Sequence, residues 1–130
     1  MTTELTVLAW GCVLGLVHVF AAVMAKTRQY GARWNMGARD EALPPPEPLV
    51  GRLARAQANF LETFPVMIAA VLIVHAAGLT NGWTAWGAIL WLGARVVYLP
   101  IYALGILGLR SAVFLVSILG IALVLSPALG

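Results

Sequence analysis

From Leu5 to Met24 the chain carries no formally charged side chain. That is roughly the 20 residues a helix needs to cross a hydrocarbon core about 30 Å thick. Three further apolar runs follow, separated by residues that interrupt helices. Backbone amides in lipid must be satisfied within their own segment, so runs of this kind predict helices. The expected helices cover about 3–27, 49–77, 83–107 and 111–126, joined by a loop at about 28–48. The fold class is therefore all-α, a four-transmembrane-helix bundle forming one integral membrane domain over residues 1–130.

Composition removes the soluble alternatives. Hydrophobic residues make up 62% of the chain and charged ones 10%, where a soluble domain has about a quarter charged. The net charge of +3 does not indicate nucleic acid, because the cations cluster around one connecting stretch of an otherwise apolar chain. Cys12 is the single cysteine, which excludes a disulfide framework and a cysteine metal site. No metal is expected.

Charge placement sets the expected orientation. Glu4 precedes the first apolar run, and Lys26, Arg28, Arg33 and Arg39 follow it. A signal peptide has the opposite order, so a retained first helix with its N-terminus outside is predicted. Pro44 to Pro48 (PPPEP) stop a helix, so the cationic stretch reads as an ordered loop. The turn Gly78 to Gly82 (GLTNG) is short enough to make the helices on either side antiparallel neighbours. Trp83 and Trp86 suit an outer aromatic belt, and Gly108 to Arg110 reads as the second inner turn. Both termini are then outside and the 28–48 loop is cytoplasmic.

Polar residues inside the spans mark the chemistry. Arg55, Asn59 and Glu62 recur at i, i+4 and i+7, which gathers them within roughly 60° of one another on a helix. Gln57 falls about 160° away from Asn59, towards a different neighbour. Arg95, Tyr98 and Tyr102 form a second stripe. From the helix rise, Glu62 and Arg95 lie at similar depth, and a buried arginine needs a partner, so the two are expected to pair. Arg55 and Arg110 remain over, and the site is net positive, suited to a small anionic ligand with carboxylates. His18 is expected to be a neutral histidine hydrogen-bonded to a neighbouring helix. Pro65 and Pro100 each free a carbonyl, of Leu61 and Val96, beside these stripes.

The stretch Arg52 to Pro65, RLARAQANFLETFP, resembles the signature of the MAPEG family, membrane-associated proteins of eicosanoid and glutathione metabolism. Arg55, Ala56, Asn59, Glu62 and Pro65 meet its core pattern, and Ala94 to Tyr102 (ARVVYLPIY) resembles the family's third helix. Arg39, Asp40 and Glu41 look like the loop of its bacterial members, which implies a bacterial inner membrane. The resemblance implies a homotrimer that binds glutathione, as co-substrate, at each protomer boundary. It assigns glutathione binding to Arg55, Asn59, Glu62, Tyr98 and Tyr102, with Gln57 and Arg39 supplied by a neighbouring subunit, and thiol activation to Arg110. The implied activity is a glutathione transferase, a peroxidase or both, acting on apolar electrophiles or lipid hydroperoxides from the bilayer. Thr63 departs from the pattern, since a glutathione-conjugating member has a tyrosine there.

Two other readings stand beside this one. The family includes a non-enzymatic lipid-binding member, so a non-catalytic lipid- or glutathione-binding module is the alternative. A small transporter is the third reading, but small multidrug exporters carry their buried glutamate on the first helix, and Leu5 to Met24 has none.

Overall fold

The computed structural model describes residues 1–130, the side chain of Leu107 excepted. It contains five helices: α1 Thr3–Tyr30, α2 Ala32–Met36, α3 Pro48–Ala76, α4 Gly82–Leu104 and α5 Leu107–Leu129. Four of them, α2 being the exception, are long and apolar enough to cross a membrane.

Local chemistry sets the ends. Thr2 caps α1 by accepting from the Leu5 amide at 3.2 Å. Pro48 begins α3, where a missing N–H costs nothing. Asn81 and Thr84 form a reciprocal capping box at the start of α4. At the other end of α4, Gly105 adopts φ 74°, a left-handed conformation that favours glycine, and its amide bonds back to Ile101 and Tyr102.

This last feature corrects the expected turn. The chain reverses at Gly105 and Ile106, not at Gly108 to Arg110, so Arg110 is carried in the first turns of α5. Helix α5 also continues past Pro127 to Leu129, beyond the expected end at 126. The cationic connection is likewise more ordered than a loop. Helix α1 extends to Tyr30, Gly31 at φ 97° breaks it, and α2 follows. Gln29 clasps the descending chain by donating to the Pro45 carbonyl at 3.0 Å and accepting from the Glu47 amide at 2.8 Å, while Tyr30 donates to Pro44.

Helix α1 packs on α3 and α4, and α5 lies along α4. The main core joins Leu14 of α1, Phe60, Met67, Val71 and Val74 of α3, Trp91 of α4 and Val124 of α5. The α4–α5 pair is close enough that a Cβ at Gly87 would stand 2.7 Å from the Gly120 carbonyl. Apolar surface is as comfortable in lipid as in a core, so close approach of small residues is what drives such contacts. At the end bearing the Asn81 turn, the buried Glu4 carboxylate accepts a hydrogen bond from the Thr84 hydroxyl, tying α1 to α4. Trp10, Trp83 and Trp86 are exposed around that end.

Candidate functional site

The opposite end of the bundle gathers the arginines. A cavity of about 310 Å³ is lined by Arg52 and Arg55 of α3, Tyr102 of α4, the Gly105–Ile106 turn and Arg110 of α5. A second, of about 280 Å³, is lined by Asn59, Tyr98, Arg110, Ser111, Phe114 and Leu115. Arg110 borders both.

Each side chain is held by its neighbours. Arg55 Nε donates to the Tyr102 hydroxyl at 3.1 Å. The Arg110 guanidinium lies over the Tyr102 ring, with Cζ 4.8 Å from the centroid, and that of Arg55 lies 6.0 Å away. Tyr98 meets Tyr102 edge to face at 5.6 Å, and both pack with Ala56. Alanine at 56 lets α3 approach the two phenols closely. The Arg110 Nε is buried without a partner, which leaves a cation with unused donor capacity at the junction of the cavities. Arg52 Nη1 donates to the Ala103 carbonyl at 2.9 Å, near the exposed end of α4.

Arg55, Asn59, Tyr98, Tyr102 and Arg110 are thus brought together. Arg52 also belongs to this group, and sequence reasoning omitted it from the site. The signal was present, since Arg52 and Arg55 are three residues apart and share a helix face.

Other expected partners stand elsewhere. The Glu62–Arg95 pair does not form. Arg95 is fully buried and donates through Nη1 to Asn59 Oδ1 at 2.7 Å, its Nε and Nη2 are unpartnered, and Glu62 is exposed. The reason is angular. Phe60, Met67, Val71 and Val74 define the inward face of α3, and Glu62 lies about 200° round from Phe60. His18 has no hydrogen bond either. Its buried ring stacks on Phe60 at 4.8 Å, because an aromatic face is what α3 offers at that level. Gln57 is half-buried and does not border the two cavities. Arg39, at φ 63°, turns back onto α2 to donate to the Asn35 carbonyl at 3.1 Å and cover Trp34 at 4.8 Å. Thr63 spends its hydroxyl on the α3 carbonyls of Asn59 and Phe60. Among the described residues no cluster of three or more potential metal ligands occurs.

Four membrane-length helices define a multi-pass integral membrane protein, and three of them, α3, α4 and α5, line a cavity with three arginines and Tyr102. The family model of the MAPEG family matches residues 7–129, and the chain belongs to that family. No curated protein and no solved structure matches it.

Proposed function

We propose that the protein is a glutathione-dependent membrane transferase that activates the thiol beside Arg110 and delivers it to an apolar electrophile or a lipid hydroperoxide. The observation that carries this reading is the seating of Arg55 and Arg110 on one phenol, Tyr102, which fixes two cations around a single cavity. Glutathione brings two carboxylates, an ammonium and a thiol. In this reading Arg52 and Arg55 take carboxylate, Glu62 takes the ammonium, and Arg110 faces sulfur.

The magnitudes are within reach. A thiol of pKa about 8.5 is only about 3% ionised at neutral pH. Bringing it to half-ionised needs about 2 kcal/mol of preference for the anion, within the ~1.5–3 kcal/mol of one charged hydrogen bond. In conjugation the thiolate sulfur forms a bond to the electrophilic carbon, and the leaving group departs with its electron pair. In peroxide reduction two glutathione molecules are oxidised to the disulfide while the hydroperoxide becomes an alcohol and water. Holding both reactants at one boundary supplies further acceleration.

Arg55 and Glu62 are exposed on α3 of the single chain, inside a membrane-length helix. A charge facing lipid near mid-membrane costs about 3 kcal/mol, so a further copy covering these residues stabilises them. A homotrimer is the assembly proposed, with Gln57 and Arg39 reaching a neighbour's site. In this reading the end bearing the cations of α1 and α2 is the cytoplasmic one, the membrane is a bacterial inner membrane, and both termini lie outside.

The test is glutathione binding by calorimetry in detergent. An affinity loss of about tenfold in Arg55→Ala and Asn59→Ala is expected, with the thermal midpoint kept in Arg55→Ala and lowered in Asn59→Ala, which takes the hydrogen-bond partner from buried Arg95; binding at wild-type strength in both contradicts the site. An apolar groove of about 370 Å³ lined by Ile89, Leu90, Gly93, Val97, Val113 and Val116 favours one other reading, a non-catalytic lipid-binding module. That reading predicts co-purified lipid and no thiolate on adding glutathione.

A further inference from the structure

The contact between Asn59 and Arg95 constrains what the site accepts. Arg95 Nη1 donates to Asn59 Oδ1 at 2.7 Å, and the guanidinium is held 4.3 Å from the Tyr98 centroid and 5.4 Å from that of Phe60. A guanidinium has donors only, so the amide oxygen is the one atom of Asn59 that can face it. The amide nitrogen is therefore turned away from Arg95. It takes no partner among the described residues and is not among the buried unpartnered atoms, and Asn59 borders the cavity shared with Tyr98 and Arg110.

We propose that Arg95 is a positioning residue that sets the polarity of this cavity, locking Asn59 so that it offers N–H donors and selects an acceptor group, a carboxylate or peptide carbonyl of the ligand. The inference rests on the glutathione reading above and adds a specificity rule to it. A neutral hydroxyl at position 95 would tolerate either orientation of the amide, whereas a cation tolerates one. Nothing about holding α3 to α4 requires a cation, since apolar packing serves helix association at least as well as a buried charge.

Asn59→Asp separates this from a purely structural role. The carboxylate gives Arg95 a stronger partner, so both accounts expect an equal or higher thermal midpoint. They part on binding: the polarity account predicts a loss of glutathione affinity of about tenfold or more, because a ligand acceptor now meets an acceptor. Arg95→Met is expected to weaken binding in the wild-type background and to add nothing in an Asn59→Ala background, while Arg95→Lys, still donor-only, restores most of the affinity. Asn59→Asp binding within about twofold of wild type, or additive effects in the double variant, overturns the proposal. If the wild-type protein binds no glutathione, the proposed function fails and the specificity rule fails with it, whereas wild-type binding with Asn59→Asp within about twofold overturns the rule alone.

Discussion

The hydroxyl of Tyr102 accepts a hydrogen bond from Arg55 Nε at 3.1 Å, across the gap between α4 and α3. With Arg110 over the same ring, one phenol organises cations from two other helices. Tyr102→Phe keeps the ring and removes the oxygen, so glutathione affinity is expected to fall by about two- to tenfold with little change in the thermal midpoint. Tyr102→Leu removes the ring as well and should bind more weakly still. Calorimetry on the two variants checks this, and wild-type affinity in Tyr102→Phe would show that the hydroxyl does not orient Arg55.

The α4–α5 contact predicts a stability effect. A Cβ at Gly120 would meet the Gly87 carbonyl at 2.7 Å and the Trp91 amide at 2.8 Å, both backbone atoms that cannot swing aside. Gly120→Ala should cost about 1–3 kcal/mol and lower the unfolding midpoint in detergent. Gly93→Ala on α4 is the control, because nothing lies within 4 Å of its added carbon. Equal midpoints for the two variants would contradict the close approach.

Thr84 tests whether the two ends of the bundle are separable. Its hydroxyl satisfies the buried Glu4 carboxylate at the end away from the arginines. Thr84→Val leaves that group unpaired and should destabilise by about 1–3 kcal/mol. Glutathione affinity at saturating folded protein should be unchanged, and a parallel loss of affinity would mean that the ends are coupled.

His18 gives a prediction of the opposite sign. Both ring nitrogens are buried without partners, so the side chain pays for desolvation with no hydrogen bond in return. His18→Phe, an aromatic that retains the stack on Phe60, should raise the unfolding midpoint. A lower midpoint would reveal a polar partner for the imidazole in the assembled protein.

The parts of this architecture that were legible in the sequence are those that lipid imposes. Apolar length marks the spans, and charged residues inside them stand out because each is costly there. Spacing alone grouped Arg55 with Asn59, and Tyr98 with Tyr102. The facing of α3 was not legible. Its inward residues Phe60 and Met67 are no more apolar than the exposed Leu61 and Val66, so hydropathy does not say which side turns inward. Hence the depth of Glu62 was readable while its direction was not, and Arg95 went to the wrong partner. The second turn failed for a similar reason. Gly105 and Gly108 are both able to break a helix, and only the first takes a positive φ. Reading the turn at Gly105 moves Arg110 from a loop onto the first turn of α5.

The central claim is that Arg110 turns bound glutathione into a thiolate. The most direct measurement is the ultraviolet difference spectrum of the purified protein as glutathione is added at neutral pH, recorded beside Arg110→Ala. The account predicts a thiolate band that saturates with the wild type and is absent from the variant, while calorimetry shows that the variant still binds glutathione. Saturable binding with no thiolate band in the wild type, or the same band in both proteins, would contradict it.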